Sequence, residues 1–136
     1  MSSSQAMRLF NLDLREKVQS IWDENIPVIH HTVIEIITEK KDKLDGDALI
    51  ETMSEFCKDM ELHVVQVTHH KFEPQGTSAV FVLEESHLAI HSWPEKGYMH
   101  IDMVTCTKDE TNIIRALATL EKLYGKSNVR IISFKY

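Results

Sequence analysis

The sequence predicts an α+β fold, a two-layer sandwich in which a mostly antiparallel sheet carries helices on one face. Six segments have strand character and three have helical periodicity. Four of the strand segments follow one another without a helix between them, which favours hairpin connections and antiparallel pairing. Because two amphipathic helices can cover only one face of such a sheet, we expect the uncovered face or an unpaired edge to receive a second protomer.

The first half of the chain begins with a predicted helix. Residues 13–23 place apolar side chains on one helical face, at Leu14, Val18, Ile21 and Trp22. After Pro27, the β-branched and aliphatic residues 28–37 predict a buried strand. Helical spacing returns in residues 48–60, where the predicted core positions are Leu49, Ile50, Met53, Phe56, Cys57 and Met60. Cys57 is therefore interpreted as a small core residue.

The second half consists mainly of strands. They are predicted at residues 62–70, 78–83, 87–93 and 98–106. Pro74 and Gly76 mark a loop after the first of them, and residues 94–97 form a turn before the last.

A third helix and a final strand complete the predicted order. Thr107 and Glu110 have the spacing of a capping box, and the helix that they open should bury Ile113, Leu117, Leu120 and Tyr124. Gly125 ends this helix, and residues 128–135 have strand character.

Length and composition limit the possible functions. A chain of 136 residues fits one domain, and a net charge of −6 without a Lys and Arg cluster argues against a nucleic-acid partner. The sequence contains no run of about 18 apolar residues, so no membrane span is predicted, and its first residues lack a secretory pattern. Two cysteines do not form a disulfide framework, so we expect free thiols in a reducing cytoplasm.

Residues 84–98, EESHLAIHSWPEKGY, concentrate reactive side chains in a strand-like segment. His87 and His91 would share a face of a strand but lie roughly 13 Å apart, at ~3.3 Å per residue, and no HExxH motif is present, so no metal site is expected. The GxSxG elbow of a serine hydrolase is absent, and PQGTS lacks the GK[ST] of a phosphate loop.

Three motifs in order resemble the small prokaryotic S-adenosylmethionine decarboxylase proenzymes, which depend on a pyruvoyl group. They are HKFEPQG at 70–76, ESHLAIHSWPEKGY at 85–98 and DMVTC at 102–106. The resemblance is close from about residue 62 to 106, and residues 1–26 look like an extension before the family core. The chain departs from the family pattern in residues 28–37 and at Ala79, Met99, His100 and Thr107.

The resemblance implies that the chain makes its own prosthetic group. The hydroxyl of Ser86 attacks the carbonyl of Glu85, an ester forms, and β-elimination cleaves the single domain into chains 1–85 and 86–136, the second of which begins with pyruvoyl. By similarity, Ser78 polarises the intermediate and His91 is the base of this processing. The pyruvoyl group forms a Schiff base with the substrate amine, and neither pyridoxal phosphate nor a metal is required.

The resemblance also assigns residues to the decarboxylation itself. Cys106 is the general acid that returns a proton to the substrate carbon. Phe72 and Trp93 flank the adenine ring, and the carboxylate of Glu95 accepts hydrogen bonds from the ribose hydroxyls. Strand alternation is expected to place His91, Trp93 and Glu95 on one face.

The implied function is conversion of S-adenosylmethionine to its decarboxylated form, the aminopropyl donor for polyamine and spermidine biosynthesis. The family assembles as a dimer of processed protomers with active sites at the interface. Two alternatives stay open: a pyruvoyl-dependent decarboxylase of arginine or ornithine on the same scaffold, and a non-catalytic regulatory homologue. Phe72, Trp93 and Glu95 argue against the first, and intact Ser86, His91 and Cys106 argue against the second.

Overall fold

The computed structural model describes residues 27–106 and 113–135, and within them the chain forms six strands and two α-helices. In chain order these are β1 (His30–Ile37), α1 (Gly46–Asp59), β2 (Val64–Lys71), β3 (Thr77–Leu83), β4 (Ser86–Trp93), β5 (Tyr98–Thr105), α2 (Ile113–Tyr124) and β6 (Asn128–Lys135). Short 3₁₀ turns lie at Lys41–Leu44 and Pro94–Lys96. The helix predicted at 13–23 and the capping box of Thr107 and Glu110 lie outside the described residues.

The described strands form one antiparallel sheet in the order β2-β3-β4-β5-β1-β6. Strands β2 to β5 are successive neighbours, as the uninterrupted run of strand segments predicts. Strand β1 then inserts between β5 and β6, with Ile34 opposite Ile101 on one side and Ile131 on the other. The predicted α+β fold with a mostly antiparallel sheet is confirmed.

Both helices pack on the same face of the sheet. Buried residues alternate with more exposed ones along β1 and β5, and the buried set forms one core with α1 and α2. Of the predicted core positions in α1, four are buried, while Ile50 and Met60 pack partly buried at the margin. Burial raises the pKa of the Cys57 thiol to about 12, which fits its interpretation as an unreactive core residue.

Helix α2 turns a different face to the core from the predicted one. Leu120 and Tyr124 are buried as expected, but Ile113 and Leu117 are 38% and 40% exposed, so that part of the prediction is wrong. The buried positions are Ala116, Thr119, Leu120, Leu123 and Tyr124. Apolar side chains lie on more than one face of this helix. The Tyr124 ring is fully enclosed, and its hydroxyl donates to the Lys43 carbonyl.

The second face of the sheet, called the open face below, carries no helix of the described residues. Strand alternation points one set of side chains to it from every strand. Ser78, His91, His100 and Glu35 are successive cross-strand partners and form a polar row on this face. Exposed apolar side chains lie beside this row, at Val80, Val82 and Trp93.

The turn between β4 and β5 is held against the end of β1. Gly97 has a left-handed φ of 62°, and its carbonyl accepts a hydrogen bond from the Thr38 amide at 2.8 Å. A Cβ atom at this position would lie 2.5 Å from the Thr38 carbonyl oxygen. Only glycine therefore fits this turn without displacement of the backbone.

Candidate active site

Glu85, Ser86 and Cys106 meet at the start of β4, and we call them the cleavage cluster. Cys106 directly follows β5, the neighbour of β4 in the sheet. Its Sγ donates to the carbonyl oxygen of Glu85 at 2.7 Å and lies 3.9 Å from the hydroxyl of Ser86. A donor on this carbonyl, with a hydroxyl on the next residue, is the arrangement that favours attack of that hydroxyl on the carbonyl carbon.

The turn that carries the cleavage cluster is strained. Leu83 pairs with Ser86, so only Glu84 and Glu85 connect β3 to β4. Glu85 has a φ of 57°, in the left-handed region that side chains other than glycine adopt at a cost of about 1–3 kcal/mol. Cleavage of the bond after Glu85 would release this strain.

A second group surrounds a cavity of about 290 Å3 at the other end of β4, and we call it the pocket cluster. All five residues with predicted roles in base chemistry or substrate binding line it, namely Phe72, Ser78, His91, Trp93 and Glu95. Ser78 lies directly opposite His91 in the β3–β4 pair, and its hydroxyl is 2.7 Å from His91 Nδ1. The hydroxyl and the imidazole thus form one hydrogen-bonded unit at the cavity wall.

The loop that contributes Phe72 to the cavity is anchored to the start of α1. The carboxylate of Asp45 accepts hydrogen bonds from the Gly76 amide at 2.9 Å and the Thr77 hydroxyl at 3.1 Å. The Ser92 hydroxyl accepts from the Thr77 amide at 3.1 Å. Asp45, Ser92 and the cavity residue Gln75 were not predicted from the sequence, although the Asp-Gly pair before a predicted helix was an available signal for Asp45.

Glu95 lines the cavity, but the element that positions it differs from the predicted one. It lies in the 3₁₀ turn Pro94–Lys96 and not on β4, so strand alternation does not explain its position. The turn nevertheless returns its side chain to the wall that His91 and Trp93 form.

Within one chain, the structure does not bring His91 to Ser86. The two residues are five apart on β4, or about 16 Å at ~3.3 Å per residue, which is too far for direct contact. The same rise per residue that separates His87 from His91 would have revealed this in the sequence.

A charged group lies beside the pocket cluster on the open face. The Tyr98 hydroxyl donates to Glu35 at 2.6 Å, and the Arg130 guanidinium contacts the other carboxylate oxygen at 2.6–2.7 Å. The Tyr98 hydroxyl, opposed by burial and aided by Arg130, holds the pKa of Glu35 below its ordinary value. Burial and the Glu35 carboxylate raise the pKa of Tyr98 to about 12.

Two positions that depart from the family pattern occupy different surroundings. Met99 is fully buried in the core, with its sulfur 3.9 Å from the Tyr124 hydroxyl, so it does not line the cavity. His100 lies on the open face directly opposite His91.

Comparison with protein families matches residues 30–135 to the description "S-adenosylmethionine decarboxylase". The chain belongs to the S-adenosylmethionine decarboxylase family. The predicted family and its enzyme class, a decarboxylase of the prokaryotic proenzyme type, are thereby confirmed.

Two curated relatives are S-adenosylmethionine decarboxylase proenzymes. That of Clostridium botulinum is 36% identical over 80 residues, which are 58% of this chain and 69% of the relative. That of Thermosipho melanesiensis is 34% identical over 103 residues, or 75% of this chain and 78% of the relative.

A solved structure, the adenosylmethionine decarboxylase from Aquifex aeolicus, has a TM-score of 0.68 to this chain. Its sequence is 23% identical, and the match covers 79% of this chain and 89% of the other. At this identity the likeness concerns the fold alone.

The members of the S-adenosylmethionine decarboxylase family are pyruvoyl-dependent proenzymes. In the part of this member that the structure describes, no group of three or more His, Cys, Asp or Glu side chains could hold a metal ion. None of its described helices is both long and apolar enough to cross a membrane.

Proposed function

We propose that the chain is a self-processing decarboxylase that converts S-adenosylmethionine to its decarboxylated form for polyamine biosynthesis. The observation that carries the proposal is the cleavage cluster, in which Cys106 holds the Glu85 carbonyl beside the Ser86 hydroxyl. The residues of the pocket cluster support S-adenosylmethionine as the substrate.

Processing begins at the strained turn. The Ser86 oxygen bonds to the Glu85 carbonyl carbon while the peptide C–N bond breaks, which leaves an ester and a free amine. Loss of the Ser86 Cα proton and of the ester carboxylate then gives a dehydroalanine end, whose imine tautomer is hydrolysed by water with release of ammonia. The products are a chain ending at Glu85 and a chain beginning with pyruvoyl.

Cys106 has a role in both reactions. Before cleavage, its thiol stabilises negative charge on the Glu85 carbonyl oxygen through the 2.7 Å contact. After cleavage, the pyruvoyl carbonyl supplies the electron acceptor that decarboxylation requires. The Cys106 thiol lies 3.9 Å from the hydroxyl oxygen of Ser86, the residue from which the pyruvoyl group forms. From this position the thiol then delivers a proton to the substrate carbon. The contacts of Cys106 with Ser86 and Glu85 support a pyruvoyl group at the position of Ser86.

The base must come from a second copy of the chain. His91 is about 16 Å from Ser86 along β4 within one protomer, too far for proton transfer. When the open faces of two copies pack around a twofold axis, their β4 strands run in opposite directions. The pocket cluster of one copy then meets the cleavage cluster of the other. We therefore propose a homodimer with composite sites, in which the Ser78–His91 unit acts on the partner's turn.

The pocket cluster favours a nucleoside substrate over a free amino acid. Phe72 and Trp93 are 50% and 40% exposed, and aromatic faces available to ligand suit an adenine ring and a nearby sulfonium. Glu95 offers two carboxylate oxygens to a ribose diol. Arginine or ornithine has no flat heterocycle to use this pair of rings, which makes the amino-acid alternatives less favourable.

The purified chain should show the predicted cleavage directly. Intact-mass analysis should find fragments 1–85 and 86–136, the second beginning with pyruvoyl, and carbon dioxide release should be fastest with S-adenosylmethionine among a panel that includes arginine and ornithine. A chain that remains full length on long incubation would contradict self-processing. A processed chain that is inactive on S-adenosylmethionine but active on arginine or ornithine would overturn the substrate.

We further place the enzyme in the cytoplasm. Cys57 and Cys106 are both free thiols, and Cys106 can act as a proton donor only in the reduced form. A reducing compartment keeps it so.

A further inference from the structure

We propose that Tyr98 is a positioning residue that holds the Trp93 ring in place for the substrate, through a hydrogen-bonded link to Glu35 and Arg130. The substrate it serves is that of the proposed function, so the inference rests on that function. The link itself is made entirely of described residues and contributes no group to the reacting atoms.

Tyr98 supports Trp93 from the neighbouring strand. The two residues are direct cross-strand partners in the β4–β5 pair. Their ring centroids are 5.5 Å apart with an interplanar angle of 45°, within the range of favourable aromatic pairs. Trp93 remains 40% exposed, so Tyr98 contacts one part of the indole and leaves another part open to a ligand.

The other end of Tyr98 is fixed. Its hydroxyl donates to one oxygen of the Glu35 carboxylate at 2.6 Å, and the second oxygen accepts from Arg130 Nε at 2.7 Å. Glu35 is diagonal to Tyr98 across the β1–β5 pair and directly opposite Arg130 in the β1–β6 pair. Each carboxylate oxygen thus has its own donor, which restricts rotation of the Tyr98 ring.

Both groups keep the protonation state that the link requires. The pKa of Tyr98 is raised to about 12 and that of Glu35 is lowered, so at neutral pH the hydroxyl donates and the carboxylate is charged. A hydrogen bond to a charged acceptor is stronger than one between neutral groups.

A purely structural role would have a different signature. The Arg130 side chain is 74% exposed, and ion pairs at that exposure contribute little to stability. The link nevertheless extends from edge strand β6 through β1 and β5 to an aromatic ring at the cavity. Its effect should therefore appear in substrate binding and in the mobility of Trp93, and much less in the melting temperature.

Tyr98→Phe keeps the ring and removes only the hydroxyl, which makes it the central test. We expect KM for S-adenosylmethionine to rise about three- to tenfold, with kcat within about twofold, since the loss is one charge-assisted hydrogen bond that orients a binding group. Glu35→Gln should change KM in the same direction. Arg130→Lys should give a smaller change than Arg130→Met, because it keeps the charge but not the two-nitrogen contact.

A spectroscopic measurement tests the link independently of activity. The sequence has two tryptophans, so Trp22→Phe leaves Trp93 as the single reporter. Tyr98→Phe and Glu35→Gln in that background should increase acrylamide quenching of Trp93 fluorescence. Lys122→Met is the matched control, since it breaks another exposed ion pair, with Asp59 at 3.1 Å, and should leave KM and quenching unchanged.

Unchanged KM and unchanged quenching in both Tyr98→Phe and Glu35→Gln would overturn the inference, as would a fall in kcat alone. If the wild-type protein does not act on S-adenosylmethionine, the proposed function fails, whereas the quenching comparison still decides whether Tyr98 holds Trp93. If Tyr98→Phe does not fold, Arg130→Met alters the link at its exposed end. Unchanged quenching in that variant would then contradict the proposal.

Discussion

Cys106 contacts both partners of the proposed cleavage, the Glu85 carbonyl and the Ser86 hydroxyl. Cys106→Ala removes the donor that stabilises charge on that carbonyl. We expect processing to slow about 100-fold or more, the loss typical for removal of one oxyanion donor. A time course of intact mass measures this rate, beginning with freshly translated protein.

Cys57→Ala is the matched control at the residue scale, since it removes the other free cysteine from the core and not from the site. This variant should process at the wild-type rate and lose about 1 kcal/mol of stability through the space left by the sulfur. Wild-type processing of Cys106→Ala would show that the thiol contact has no part in cleavage.

The same scale shows what the sequence could predict about the site. The roles of Ser86, Cys106 and Trp93 were predicted from the resemblance of the motifs around them to the S-adenosylmethionine decarboxylase proenzymes, because each residue type alone is equally compatible with a structural role. The contact of Cys106 with Glu85 could not be predicted, because it depends on the register of β5 against β4. Tyr98 was missed since its partners come from three other strands.

Among the elements, the β4–β5 turn should be the most sensitive to a single methyl group. Gly97→Ala would place a Cβ 2.5 Å from the Thr38 carbonyl oxygen and also strain a left-handed residue. We expect the free energy of unfolding to fall by about 2–4 kcal/mol. Urea denaturation measures this change.

Gly125→Ala separates the strain of a left-handed residue from the clash of a new Cβ with the backbone. Gly125 also has a left-handed φ, of 69°, but its nearest atom would be the flexible Lys40 Cε at 3.3 Å. This variant should lose only about 1–2 kcal/mol, from backbone strain without a backbone clash. Equal losses in the two variants would contradict the close approach of β1 to the turn.

Strands β1, β5 and β6 should also share a dependence on pH through Glu35. Its pKa in the folded chain is below the ordinary 4.5, so its contribution to stability is present above that value and disappears as pH falls through the lowered pKa. Glu35→Gln should therefore be less stable than wild type at pH 7 and equal to it at strongly acid pH. Denaturation across a pH series measures the difference, and a constant gap at every pH would contradict it.

Element types followed from the sequence because β-branched runs and helical spacing are local properties. The place of β1 between β5 and β6 did not, since pairing between strands far apart in the chain depends on the whole core. The face of α2 was wrong for a related reason. Apolar residues lie on several sides of that helix, and only its packing against the rest of the core determines which side is buried.

At the scale of the whole molecule, composite sites predict complementation between two inactive chains. Ser86→Ala lacks the proposed cleavage residue and His91→Ala lacks the proposed base, so neither variant should be processed alone. Co-expressed, the His91→Ala chain should be cleaved by the base of its Ser86→Ala partner. Intact mass identifies which chain is cut.

His87→Ala serves as the control for this experiment, because it removes a neighbouring exposed imidazole from β4 and should be processed without help. If His91→Ala stays full length beside Ser86→Ala, a base acting from the partner is contradicted. If His91→Ala is processed alone, His91 is not the base.

The separation of the two clusters along β4 has a further consequence for how the enzyme matures. Because the proposed composite site takes its base from a partner, conversion of the chain should follow second-order kinetics at low concentration and become independent of concentration once pairing is complete. The reactive carbonyl would then arise only where a partner already encloses it. At low concentration, unpaired chains would therefore remain as an inactive, uncleaved precursor.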